Sequence, residues 1–175
     1  VNTTVVFDAA TGLWHERTYT PTDGSGETRH RANNHIQCFG KNLVGDYQNG
    51  NIYELSDTTY TDNGAPITRR RRAPHVSESG TRIFHRGFQV DVEAGTGLSS
   101  GQGSDPQAML RWSNDGGHTW SGERWKSIGA QGNYKTRAFW PKLGLARDRV
   151  YEVVITDPVK VAILGAFIDA EAARN

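Results

Sequence analysis

The sequence predicts an all-β, antiparallel fold, and three observations carry that prediction. Glycine supplies 20 of the 175 residues, about 11% against a usual ~7%. These glycines punctuate short runs rich in Val, Ile, Tyr, Phe, Trp and Thr, the pattern of many short strands joined by tight turns. No long segment keeps the apolar period of an amphipathic helix. Strands at regular spacing with no helices between them pair as hairpins within sandwiches, barrels or propellers. A weak internal similarity favours the last of these. An aromatic strand, an Asp- or Asn-Gly turn and a second aromatic strand recur around Val6–Trp14, Leu43–Leu55 and Leu110–Trp120. A four-stranded propeller unit takes about 40 residues, so the chain has room for about four. The expectation is a β-propeller-like fold, with a β-sandwich as the alternative, across residues 1–175 as a single domain or a propeller fragment.

In chain order, strands are expected near Thr3–Phe7, Leu13–Arg17, Ile36–Phe39, Leu43–Asp46, Ile52–Leu55, Ile67–Arg72, Arg82–Val92, Ala108–Ser113, Arg124–Ser127, Thr136–Leu145, Val150–Thr156 and Val159–Ile168. Asp8–Gly12, Gln48–Asn51, Asp62–Gly64 and Asn114–Gly117 supply residues that tolerate the positive φ of hairpin turns. Asp157-Pro158 marks a further turn, because proline fixes φ and disfavours helix before it. Polar Pro21–Asn34 reads as a loop. Glu93–Asp105, rich in Gly and Ser, reads as a mobile loop or an internal linker. The one short helix expected is Asp169–Arg174.

Charge and composition remove several function classes. Lys and Arg number 20 and Asp and Glu 19, a near-neutral balance that argues against a dedicated nucleic-acid binder. The longest apolar run, Val161–Ile168, falls far short of the ~20 residues of a membrane span. The single cysteine, Cys38, excludes an internal disulfide and a cysteine-based zinc site. None of the six histidines pairs at a metal-ligand spacing, and no nucleophile-elbow, Walker A or dinucleotide fingerprint is present. No catalytic residue, metal or cofactor is assigned. The chain opens on strand-like Val1–Phe7 with no initiator Met, which suggests a piece of a longer protein.

Two motifs stand out. Ser113, Asp115, Gly117, Thr119 and Trp120 match an Asp-box, Ser-x-Asp-x-Gly-x-Thr-Trp. There the carboxylate accepts turn amides, glycine supplies positive φ and the indole packs beneath the turn. The motif predicts a structural turn on a propeller blade and carries no catalysis by itself. Arg69, Arg70, Arg71 and Arg72 form the strongest charge feature. On a strand, alternate arginines point to opposite faces. One pair is then available for an acidic surface or phosphate, the alternative being a solvated edge whose charges block aggregation.

Two stretches go beyond generic β pattern: Cys38–Leu55, with Gly45-Asp46-Tyr47-Gln48-Asn49-Gly50, and Met109–Asp169, with the Asp-box, Trp140-Pro141 and Asp157-Pro158 in that order. Together they resemble the C-terminal part of the packaged-DNA stabilisation proteins of short-tailed bacteriophages, over most of residues 36–169. The resemblance implies a tail accessory factor of the virion, assembled as a ring homo-oligomer below the portal in the full-length protein. It would bind other tail and portal-adaptor subunits and help close the DNA exit channel, with packaged DNA as a further candidate contact. Membrane contact and catalytic residues are not implied. A carbohydrate-binding or sialidase-like propeller is the competing reading, and it needs exposed faces on Trp112, Trp120, Trp125 or Trp140 to stack on sugars.

Overall fold

The computed structural model describes residues 3–23 and 25–173. They form sixteen strands, every pairing antiparallel, and no helix among the described residues. The sequence suggests a single domain over 1–175. In the structure the chain divides into two compact units, Val1–Ile67 and Thr68–Asn175.

The first unit is a series of sequential hairpins. Strands β1 (Thr4–Asp8), β2 (Leu13–Tyr19) and β3 (Thr28–Arg29) form one sheet, and β4 (Ala32–Cys38), β5 (Lys41–Asp46) and β6 (Ile52–Leu55) a second. Strands β7 (Thr61–Asp62) and β8 (Ala65–Pro66) form a minimal hairpin. Its turn places Asn63 at φ 49° and Gly64 at φ 81°, the left-handed pair that a type I′ turn requires. Burial is sparse: among the described residues of this unit Val44, Asp46 and Ala65 are buried. The Asp46 carboxylate forms an ion pair with Arg31, Oδ2 2.7 Å from Nε, and accepts the Gln48 amide at 2.6 Å. Burial opposes its charge, but these donors outweigh it and hold the carboxyl below its ordinary pKa.

The second unit is a two-layer sandwich. Strands β9 (Arg69–Arg72) and β10 (Val76–Ser77) lie in succession along one edge of β15 (Asp148–Ile155). The other edge of β15 pairs with β12 (Gln107–Ser113), which pairs with β13 (Arg124–Ser127). The smaller sheet has the order β14 (Ala138–Ala146), β11 (Ile83–Val92), β16 (Ile163–Ala172). One apolar cluster joins the layers: Phe88, Val90 and Val92 of β11 with Ala138, Trp140 and Leu143 of β14, against Ala108 and Leu110 of β12 and Tyr151, Val153 and Ile155 of β15. Within β15 the core side chains are 151, 153 and 155, so period-two alternation aims Glu152 and Val154 at the opposite face.

Three expectations are corrected by this architecture. No propeller forms, and the sandwich named as the alternative does. A blade is a meander of sequential neighbours, whereas β11 pairs with β14 and β16, and β12 pairs with β15, across intervening strands of the other layer. The expected C-terminal helix is strand through Ala172, since residues 163–172 pair along β11, Ala172 opposite Ile83. That pairing overrides the helix preference of Ala170, Glu171 and Ala172, and Arg174 lies outside the described residues. The last strand consequently begins at Ile163, and Val159 is instead a buried loop residue. Glu93–Asp105, expected as a mobile loop or an internal linker, is a loop within the second unit. It is pinned by Leu98 N–H to Gly103 C=O at 2.8 Å, by Thr96 Oγ1 to Lys160 C=O at 2.9 Å and by Ser127 Oγ to Asp105.

Candidate functional site

The two motifs singled out in the sequence meet on the outer face of the larger sheet. Register explains how. Glu152 lies directly opposite Arg72 on β9 and Arg111 on β12, while Arg70 lies opposite Val154, two residues along on the same face. The Glu152 side chain is fully buried beneath these three arginines. Arg72 Nε donates to Oε2 at 2.5 Å, Arg111 Nε donates to Oε1 at 2.6 Å with its Nη2 2.5 Å from the same oxygen, and Arg70 Nε stands 3.6 Å from Oε2. Burial opposes the carboxylate's charge, and the hydrogen bonds from Arg72 and Arg111 overcome it, leaving the pKa below its ordinary value.

Three guanidiniums stand around one carboxylate. The side chain of Arg72 is 55% exposed and that of Arg70 35%. The other half of the run behaves differently: Arg69 Nη1 donates to the Asp157 carbonyl at 2.9 Å, and Arg71 is solvent-exposed.

The turn between β12 and β13 brings Trp120 to this cluster. Ser113 Oγ donates to Asp115 Oδ1 at 2.6 Å and accepts the Gly117 amide at 2.8 Å. The Asp115 carboxylate accepts the Thr119 amide at 2.8 Å and the Thr119 hydroxyl at 2.6 Å. Donation from the Ser113 and Thr119 hydroxyls holds its pKa far below the usual carboxylate range. Gly116 and Gly117 sit at φ 73° and 100°, a conformation that favours glycine. Ser121 closes the turn, donating its amide to the Trp112 carbonyl at 2.8 Å. Trp120 thereby lies under the guanidiniums of Arg111 and Arg72, at 4.8 and 5.2 Å from its ring centroid.

Sequence reasoning singles out Arg69–Arg72 and Ser113–Trp120 as separate features. It misses Arg111 and Glu152, the residues that join them. A lone Glu within the Val-rich run Val150–Ile155 is the available signal, since a charge there needs a partner.

The four tryptophans named for sugar stacking differ in their surroundings. Trp140 is buried in the core. Trp112 lies under Arg124 and Arg149, at 4.8 and 5.3 Å, as Trp120 lies under Arg111 and Arg72, so cations already occupy indole faces. Trp125 is 49% exposed. Trp112, Asn114, Asp115, Thr119, Trp120 and Ser121 line an open cleft of about 280 Å³, at the small end of small-molecule sites. No group of three or more His, Cys, Asp or Glu suited to a metal ion occurs among the described residues.

These features define a β-sandwich with a charged outer sheet face. Residues 68–171 match the family described as Bacteriophage P22 Gp10, beta-sandwich, and the chain belongs to that family. The match coincides with the second unit. It makes the chain a structural component of a phage virion tail. No curated protein matches the chain.

Proposed function

We propose that the chain acts in the tail as a docking element, part of a ring below the portal, that binds neighbouring tail and portal-adaptor subunits and helps retain packaged DNA in the exit channel. Its role is structural, not catalytic. The contact surface is the exposed side of the Arg70–Arg72–Arg111 cluster, with Arg69 and Arg71 flanking it. One observation carries this reading: three arginines converge on one buried carboxylate, and the side chains of Arg70 and Arg72 remain partly exposed on the sheet face. Arginine's planar fork suits bidentate pairing with carboxylates. The near-neutral whole chain favours an acidic protein surface over DNA as the direct partner.

The test is assembly of virions carrying Arg70→Gln or Arg71→Gln, with circular dichroism confirming that each variant folds. Nuclease-protected DNA per particle is the readout. The expected result is assembled heads that lose DNA, more so for Arg70→Gln than for Arg71→Gln. Full DNA retention by particles that lack the chain altogether would refute the role. Tight binding of free duplex DNA by the isolated chain, abolished in Arg70→Gln, would replace the acidic neighbour with DNA.

A further inference from the structure

The near-neutral charge of the whole chain hides an opposition between its two units. Residues 1–67 hold eight Asp and Glu against four Lys and Arg, and residues 68–175 hold sixteen Lys and Arg against eleven Asp and Glu. Net charges of opposite sign attract over long range, so the basic unit of one copy meets its complement in the acidic unit of another. The acidic unit also presents a face suited to arginine. In the β1–β2 hairpin Phe7 lies opposite Trp14 and Val5 opposite Glu16, so period-two alternation puts all four on one face. The Phe7 and Trp14 rings pack with centroids 4.9 Å apart, and Val5, Phe7, Trp14 and Glu16 are exposed. Glu16 is the charged residue of that face, while His15 and Arg17 alternate to the other. A carboxylate beside a flat indole offers a guanidinium a hydrogen-bond acceptor and a π face together. The chain already builds this combination once: Arg72 and Arg111 bond the Glu152 carboxylate and lie over the Trp120 ring.

We propose that the β1–β2 hairpin of one copy of this chain docks on the Arg70–Arg72–Arg111 face of the next copy. Glu16 pairs with Arg70, and Trp14 lies against Arg72, whose side chain is 55% exposed. The inference rests on the docking role proposed above and names its acidic neighbour as a second copy. The contact joins two different surfaces, so it repeats head to tail and closes into a ring where the rotation per copy allows. A two-fold contact would stop at a dimer, whereas this one leaves an unused hairpin at one end of every open chain and an unused arginine face at the other. Opposite charges across the contact speed encounter and fix its orientation. The aromatic pair supplies apolar area that the charges alone would lack.

The test uses the whole 175-residue chain. In sedimentation velocity at low salt, the wild type should form species that grow past a dimer with concentration and dissociate as salt rises. Glu16→Arg and Arg70→Gln should each weaken the association by at least about tenfold, with unchanged circular dichroism spectra. Trp14→Ser, which removes the indole and leaves every charge in place, should weaken it as well. Mixing the two charge variants then reads the geometry. The Arg70→Gln chain keeps its hairpin and the Glu16→Arg chain keeps its arginine face, so an equimolar mixture should form a one-to-one dimer and nothing larger. A wild type that stays monomeric at every concentration would overturn the proposal, and so would a mixture that fails to pair or grows beyond the dimer. Virions separate this inference from the reading beneath it. DNA lost with Arg70→Gln but fully retained with Glu16→Arg would leave the docking role standing and remove the second copy as the neighbour.

Discussion

The two units solve the same problem with unequal means. The second encloses one continuous core in which Ala108, Leu110, Ala138, Trp140, Tyr151 and Ile155 are each 1% exposed or less. The first buries Val44 and Ala65, and leaves Val5, Phe7, Leu13, Trp14, Ile36, Phe39, Ile52 and Leu55 exposed. In place of a core it has hairpin turns, the Arg31–Asp46 ion pair, and arginines laid on tyrosines: Arg29 at 3.8 Å from the Tyr47 centroid and Arg31 at 4.9 Å from that of Tyr19. Hydrophobic burial is the main driving force of folding, so the lesson is one of rank. The sandwich sets the stability, and the hairpin unit depends on local polar contacts.

Trp140→Ala should produce the largest effect, because it empties the centre of the sandwich core. The indole is enclosed, packs against Phe88 with ring centroids 6.3 Å apart, and donates Nε1–H to the Arg124 carbonyl at 2.9 Å. Its removal should cost about 3–5 kcal/mol, read as a drop in the urea midpoint of the second unit. Protection of first-unit amides against hydrogen exchange should barely change. A loss spread equally over both units would erase the distinction.

The next effect is a pH dependence confined to the sandwich. His85 is buried, its Nδ1 shares a hydrogen bond of 2.8 Å with the Tyr151 hydroxyl, and its Nε2 has no protein partner. Burial first, and the nearby Arg149 charge second, push its pKa down to about 4. Between pH about 4 and the unperturbed value near 6.5 the unfolded chain binds more protons than the folded one. Stability therefore rises with pH across that window. The contribution is complete above about 6.5 and is lost as pH falls through about 4, for a total on the order of 3 kcal/mol. Unfolding curves of wild type and His85→Gln, compared from pH 7 to 4, should converge as pH falls. Parallel curves would mean that the histidine does not carry the effect.

The smallest expected change sharpens the contrast from the other side. Asp46→Asn breaks the ion pair with Arg31 and should reduce hydrogen-exchange protection in β4, β5 and β6. The unfolding midpoint of the sandwich should stay in place. A shift of that midpoint would show that the two units unfold together.

Local order was legible where one strand and one turn decide it. Runs such as Ile52–Leu55 and Arg124–Ser127 match the observed strands to the residue, because β-branched and aromatic residues between turn formers specify strand with little help. Strand order was not legible. That β15 lies between β12 and the β9–β10 edge depends on contacts some 40 to 80 residues apart, which no short window contains. The same reason hid the C-terminal strand. Ala170–Ala172 has helix-forming composition, and the β11 edge that recruits it lies far upstream. At the candidate site, the exposed arginines and the turn residues declared themselves by composition and motif. Glu152 did not, since its role exists only after three strands converge on it.

The placement of β11 has a consequence for how the chain is made. It is the middle strand of the smaller sheet, yet both its partners follow it, at residues 138–146 and 163–172. Pairing Ile83 with Ala172 closes a loop of about 90 residues, and such distant pairings make folding slow. During synthesis Phe88, Val90 and Val92 leave the ribosome well before the strands that will cover them, and must wait. The same connectivity that gives the sandwich its single core delays its completion until β14 and β15 have been translated.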